Sequence, residues 1–221
     1  MKKTSLVLLI FLFIFSTVTS FADAKVPMKY GSGKVEITEE DGIPVYTWEA
    51  NEKQLEKMNE LEGKGMSYGE VLKAVAPQEF AKMPNKNNLM KTPFDQNARE
   101  VKEFDIIKML RRYGSSCDID YSLSRYEITL DLEMKTNGET NWIEILSRLY
   151  DANTRKIVSA RVSTKGDESS SRMFRSHSMT HVISPSDGTY YGWGQFRVYS
   201  PADGHYKCEN SLTRKFSFDK K

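Results

Sequence analysis

The sequence predicts an all-β antiparallel sandwich, preceded by a smaller and mainly α-helical N-terminal region. From Cys117 onward apolar and polar residues alternate with a period of two, which is the pattern of half-buried strands. At least six such segments follow one another, separated by turn-forming residues and without helical patterns between them, as in antiparallel sandwiches or barrels. Before residue 114, apolar residues instead recur at helical spacing.

The first residues have the features of a secretory signal peptide over residues 1–24. Lys2 and Lys3 precede an apolar run, and the small side chains around Ala24 suit signal peptidase. We expect cleavage between Ala24 and Lys25 and release of an extracellular protein. The alternative is an uncleaved membrane anchor, but the apolar run is shorter than the roughly 20 residues that span a bilayer.

Residues 25–113 are predicted to form the mixed, mainly helical region. A strand pair is expected over residues 34–38 and 44–48, with a turn at 40–42. Asn51 is predicted to cap a helix that ends near residue 62, and Ser67 with Glu70 forms a capping box for the next helix. The stretch near 84–98, which is rich in Asn, Lys and Pro, is predicted to be a linker before a last helix over residues 99–113.

Residues 114–221 are predicted to form the sandwich domain. Strands are expected over residues 126–134, 142–150, 156–164, 172–183, 189–199 and 206–218. Asn137-Gly138 is a strong signal for a turn after the first of them.

Five residues of this domain carry a resemblance to a known fold. Asp187-Gly188-Thr189-Tyr190-Tyr191 opens a strand after a turn. It resembles the tyrosine corner of immunoglobulin-like sandwiches, in which a tyrosine hydroxyl bonds to upstream backbone. Gly192 stands where antibody-type domains have their second core cysteine, so the pattern departs there. The resemblance implies an immunoglobulin-like fold over residues 117–218 and no particular function.

Cys117 and Cys208 are the two cysteines of the chain. In an oxidising compartment they are predicted to form one disulfide, which would close a loop of about 90 residues and stabilise the fold by roughly 4.5 kcal/mol. A reactive thiol is the alternative, but neither cysteine belongs to a CxxC motif.

Composition excludes some classes of function. The formal net charge is only +2 and the charges are interspersed, so the chain lacks the basic footprint of a nucleic-acid-binding protein. Aromatic residues make up 11% of the chain, which argues against disorder.

The sequence shows no catalytic or cofactor signature. His177 and His181 have the spacing of helical zinc ligands, but in a strand their rings would lie about 13 Å apart. We therefore predict no metal or cofactor site and expect both to be ordinary, partly exposed strand residues. The serines at 169–171 lack the Gly-x-Ser-x-Gly elbow of a nucleophile.

An aromatic stripe is the most suggestive feature. If Tyr190 faces inward, alternation makes Tyr191, Trp193, Arg197 and Tyr199 face outward. Tyr, Trp and Arg dominate protein-binding surfaces, and aromatic rings also stack on sugars. Two interpretations stay open: these residues bind a ligand, or the helical N-terminal region packs on this face and buries it.

The predicted function is that of a secreted, non-enzymatic protein that binds an extracellular, cell-surface or glycan ligand through Tyr191, Trp193, Arg197 and Tyr199. One alternative is a secreted hydrolase whose carboxylate pair comes from distant strands. Another is a secreted effector or inhibitor of a protein target. We expect the partner to be an extracellular protein or glycan, with no nucleic acid partner and no stable membrane anchor after cleavage.

Overall fold

The computed structural model describes residues 28–62, 64, 66, 68–84, 115–167, 171–200 and 205–219. The signal peptide with its Ala24/Lys25 cleavage site, almost all of the linker and the helix predicted at 99–113 lie outside these residues. Within them the strands are β1 (Val35–Glu40), β2 (Ile43–Glu49), β3 (Ser115–Leu123), β4 (Ile128–Thr140), β5 (Trp142–Asp151), β6 (Ile157–Gly166), β7 (Phe174–Ile183), β8 (Gly188–Ser200) and β9 (His205–Phe218). The helices are α1 (Glu52–Leu61), α2 (Tyr68–Val75) and α3 (Pro77–Phe80).

The strands form two antiparallel sheets that pack face to face, which confirms a β-sandwich. One sheet has the order β1-β2-β6-β5-β8-β9, and the other has the order β3-β4-β7. Their facing sides share one apolar core, to which β3, β4, β5, β7, β8 and β9 all contribute. Among the helices that the structure describes, none is long and apolar enough to cross a membrane.

The predicted strand pair at the N-terminal end forms and joins the larger sheet. Asp41 and Gly42 both have positive φ angles, of 54° and 73°, as a two-residue hairpin turn requires. β2 then pairs with β6, with Trp48 opposite Val162. The N-terminal region therefore extends the sheet of the sandwich.

The helices cover the outer face of the larger sheet. The predicted cap of α1 is confirmed: Asn51 Oδ1 accepts a hydrogen bond from Gln54 N at 3.0 Å, and Asn51 N donates one to Gln54 Oε1 at 3.0 Å. Leu55 and Met58 of α1 pack with residues of β2, β5 and β6 in a second apolar core. The helical layer thus buries part of the face that carries the aromatic stripe.

Two local predictions are wrong. Asn137-Gly138 does not end a strand, because β4 continues to Thr140 with an irregular register after Lys135. Beyond this point the chain passes from the smaller sheet to β5 of the larger sheet. The irregular end of β4 leads into this crossing and takes the place of the expected turn. The other error concerns His177 and His181: both are buried, at 3% and 0% exposure, because β7 turns these side chains toward the opposite sheet.

The hydrogen bond implied by the tyrosine-corner resemblance is present. Tyr190 Oη donates to the Ser186 carbonyl oxygen at 2.6 Å, four residues upstream. Tyr190 is otherwise buried in the core between the sheets, and this burial raises the pKa of its hydroxyl to about 12. The hydroxyl therefore stays protonated and available as a donor at ordinary pH.

Candidate functional site

The predicted inward and outward faces of β8 are correct. Tyr190, Phe196 and Val198 belong to the core between the sheets. A Cβ at Gly194 would lie 2.7 Å from Leu132 Cδ2, so the opposite sheet approaches closely at this glycine. Alternation then turns the odd-numbered residues of β8 to the outer face.

Arg197, at one end of the outward stripe, is buried. It is 1% exposed, forms an ion pair with Glu144 of β5, and lies 5.9 Å from the centre of the Trp142 ring. Thr164 Oγ1 also donates to Glu144 Oε2 at 3.4 Å. Because a buried charge is tolerated when it is paired, this arrangement explains how Arg197 fits inside the structure. Arg197 does not reach the surface as a ligand contact.

Tyr199 lies beyond Arg197 on the same strand. Its backbone pairs with Trp142 of β5 and Tyr206 of β9. Its side chain lies outside the described part of the chain, so its predicted role in ligand binding stays a prediction.

Trp193 lies halfway along the stripe and is half-buried. One side of the ring packs against the apolar core beneath the helices. The guanidinium carbon of Arg148 lies 4.7 Å from the ring centre, which is a cation–π contact. The register explains it, because Arg148 and Trp193 are directly opposite on β5 and β8.

Tyr191 lies two residues before Trp193 and is also half-buried. It is paired with Tyr150 of β5 on one side and with Lys215 of β9 on the other. Lys215 Nζ lies 5.8 Å from the centre of the Tyr191 ring, and Lys215 is exposed. A cation therefore lies beside each of the two aromatic rings.

The end of α1 adds a carboxylate to this group. Glu62, the residue after α1, is hydrogen-bonded to Tyr150, and Tyr150 Oη accepts from Arg148 Nη1 at 3.0 Å. Burial raises the pKa of Glu62, while the charge of Arg148 opposes that rise. Within the described part of the chain, Glu62 Oε2 is buried and makes no hydrogen bond.

We call these residues the Trp193 patch: Glu62, Arg148, Tyr150, Tyr191, Trp193 and Lys215. The sequence interpretation found Tyr191 and Trp193 but missed the other four. The missing signal was the cross-strand register, which brings Arg148 and Tyr150 opposite the two predicted rings. This register can be determined only when the strands that pair with β8 are known.

The predicted disulfide would join two strands of opposite sheets. Cys117 of β3 is buried in the core between the sheets, where Val198 also lies. Cys208 is opposite Val198 in the register of β8 and β9. No disulfide is found among the described side chains, which do not include that of Cys208, so the bridge stays a prediction.

The described residues include the two histidines that the sequence analysis considered as metal ligands. The described part of the chain contains no group of three or more His, Cys, Asp or Glu side chains that could hold a metal ion. Ser163 Oγ lies 2.9 Å from His177 Nε2, but both residues are buried between the sheets. A substrate could not reach this serine without separation of the sheets.

Comparisons with known proteins give little further information. No family model matches the chain, and no curated protein matches it. Among solved structures, the crystal structure of the human F-spondin reeler domain (fragment 2) matches at 9% sequence identity and a TM-score of 0.25. The match covers 51% of this chain and 98% of the reeler chain. A TM-score this low carries no argument about function.

Proposed function

We propose that this chain is a secreted, non-enzymatic protein that binds an extracellular glycan through the Trp193 patch. The observation that supports the proposal is the pair of half-buried rings, Tyr191 and Trp193, on one face of β8. Residues two apart in a strand are about 7 Å apart, so the two rings can cover neighbouring parts of one ligand. Sugar rings present flat C–H surfaces that pack well on such aromatic rings.

The polar members of the patch hold its rings in place and add one exposed charge. Lys215, which is exposed beside Tyr191, is the polar member that a sugar hydroxyl can reach. Arg148 is buried, at 3% exposure, and it is held against Trp193 and bonded to Tyr150, so it fixes the Trp193 ring before a ligand arrives. Such fixed groups reduce the ordering cost of binding. Secretion itself rests on the signal peptide predicted at residues 1–24.

We also infer that β3–β9 form an immunoglobulin-like sandwich. The inference is supported by the order β3-β4-β7 in one sheet, by β6-β5-β8-β9 in the other, and by the hydrogen bond from Tyr190 to Ser186. In antibody constant domains the fourth strand belongs to the sheet of the first, second and fifth. Here β6, the fourth of these strands, pairs with β5 in the other sheet, and sandwiches of this architecture differ in such details.

The double variant Y191A/W193A tests the binding proposal. We expect the wild-type protein to bind members of an immobilised oligosaccharide panel, and the double variant to lose at least tenfold in affinity. Because Trp193 is half-buried, soluble forms of the bound sugars should also shift the tryptophan fluorescence of the wild-type protein. Cooperative unfolding of the variant must be checked by denaturant titration.

Tyr126→Ala is the matched control, because Tyr126 is an aromatic residue with 45% exposure before β4 in the smaller sheet. It should leave binding unchanged. The glycan proposal fails if the wild-type protein binds no member of the panel. The patch is not the binding site if Y191A/W193A folds and retains full affinity, or if Tyr126→Ala causes an equal loss.

A further inference from the structure

Two histidines of β7 face the interior between the sheets. His177 and His181 are opposite Met134 and Leu130 of β4, whose side chains are fully buried in the same core. Both rings point across the core toward serines of the larger sheet. Buried polar side chains of this kind form a layer within an otherwise apolar interior.

His181 contacts two strands of the larger sheet at once. Its Nε2 lies 2.8 Å from Ser159 Oγ of β6, and its Nδ1 lies 3.0 Å from Ser147 Oγ of β5. The side chain is 0% exposed. Both ring nitrogens are therefore satisfied by hydroxyl groups and by nothing charged.

His177 makes the equivalent contact four residues earlier on β7. Its Nε2 lies 2.9 Å from Ser163 Oγ of β6, and Ser163 Oγ lies 3.5 Å from Thr47 Oγ1 of β2. Its Nδ1 is buried and makes no hydrogen bond with any residue that the structure describes. A proton added to this ring would gain no partner in the present arrangement.

We propose that His177, His181, Ser147, Ser159 and Ser163 form an acid-sensitive contact between the two sheets. We call these five residues the histidine layer. The layer holds β7 to β5 and β6 while both rings are neutral, and these contacts break when the rings become protonated. The proposal is independent of the Trp193 patch, which lies on the opposite face of the larger sheet.

The hydrogen-bond chemistry of the layer favours neutral rings. A neutral imidazole has one donor and one acceptor nitrogen, so one serine donates to His181 and the other accepts from it. An imidazolium has two donors and no acceptor. Both serines would then have to accept, and the hydroxyl proton that had bonded to the ring would need a new acceptor. The added charge would also lie in a desolvated interior.

The charged groups around His181 do not compensate for protonation. Arg161 of β6 faces this ring and repels a second positive charge, which lowers the pKa of His181 further. Arg161 itself is paired with Glu49 of β2 at 3.1 Å. The neighbours that β4 and β5 contribute, Leu130 and Ser147, are uncharged.

The charges around His177 oppose each other. Glu40 of β1 favours a charged ring, whereas Lys165 of β6 disfavours it. These two groups pair with each other at 3.0 Å. Met134 of β4, which is opposite His177, is apolar. Desolvation is then the largest influence on this ring as well.

Burial lowers the pKa of His177 from 6.5 to about 4 and that of His181 from 6.5 to about 3. The unfolded chain therefore binds protons below pH 6.5 that the folded protein does not bind. The stability that the neutral rings provide is fully present above pH 6.5 and is lost as the pH falls toward these lowered values.

The test is the pH dependence of unfolding in the wild-type protein and in H177Q/H181Q. For two such histidines the unfolding equilibrium constant rises about 50-fold between pH 6 and pH 5. We expect this rise in the wild-type protein, measured by denaturant titration followed by tryptophan fluorescence. H177Q/H181Q should lack most of it, because glutamine does not titrate.

The third histidine gives the matched control. His205 lies in the backbone of β9 and not of β7, so we expect H205Q to keep the wild-type pH dependence. An equal rise in H177Q/H181Q and in the wild-type protein would overturn the proposal. If H177Q/H181Q does not fold, NMR titration of the wild-type histidine ring protons decides the question. Two rings that titrate near pH 6.5 in the folded protein would also overturn it.

Discussion

The two faces of the larger sheet both carry buried polar side chains, but they satisfy them in different ways. On the inner face the two histidines are satisfied by neutral groups, since serines of β5 and β6 bond to His177 and His181, although the pairs Arg161–Glu49 and Lys165–Glu40 lie nearby. The outer face uses charges, with Arg197 paired to Glu144. Neutral partners can be exchanged at modest cost, whereas each member of a buried ion pair depends on the other. Single substitutions should therefore be most costly on the outer face.

The largest effect is expected from Glu144→Ala on the outer face. The substitution removes the carboxylate that compensates Arg197, whose side chain is 1% exposed. Breaking a buried pair from one side costs about 3–5 kcal/mol of unfolding free energy. Denaturant titration at pH 7 measures the loss. The control is E144L/R197M, which removes both charges and should recover most of the lost stability.

The charge explanation for the outer face would be wrong if Glu144→Ala and E144L/R197M lost the same unfolding free energy. Equal destabilisation in Glu144→Ala and E144L/R197M would mean that packing volume, and not the unpaired charge, determines the cost. A loss below about 1 kcal/mol in Glu144→Ala would mean that the pair behaves as an exposed salt bridge.

A smaller effect is expected from Gly194→Ala on the inner face. The new Cβ would lie 2.7 Å from Leu132 Cδ2 of the opposite sheet, so Leu132 must move. Overpacking of this kind costs about 1–3 kcal/mol. Gly138→Ala is the control, since a Cβ there meets nothing within 4 Å. The idea that the sheets approach closely at Gly194 fails if the two alanine variants are equally stable.

The alternation of apolar and polar residues predicted which side of the sheet a residue faces better than it predicted whether that residue is buried. The period of two correctly turned Tyr190 inward and Trp193 outward, because alternation is a property of a single strand. Whether an outward residue meets solvent depends on the neighbouring strand and on the layer above it. Arg197 and Trp193 share one face of β8, yet the first is buried and the second half-exposed. The sequence could not distinguish them.

Alternation was recognised from Cys117 onward, but no strand was assigned to the first segment that shows it. Cys117, Ile119 and Tyr121 alternate with polar residues, and this segment is strand β3. The histidine layer was missed for a different reason. His177 and His181 also alternate with polar residues, but their partners, such as Ser159, lie in another sheet. Contacts between sheets depend on how the sheets are packed, which has no period in the sequence.

The smallest effect is expected from Tyr190→Phe, which removes one hydroxyl from the inner face. The Ser186 carbonyl loses its donor at 2.6 Å, while the ring can keep its place in the core. Loss of one neutral hydrogen bond costs about 1 kcal/mol. Tyr126→Phe is the control, because Tyr126 is exposed and should show no change. If Tyr190→Phe is as stable as the wild-type protein, this hydrogen bond contributes nothing to the corner. The inferred immunoglobulin-like sandwich would then rest on strand order alone.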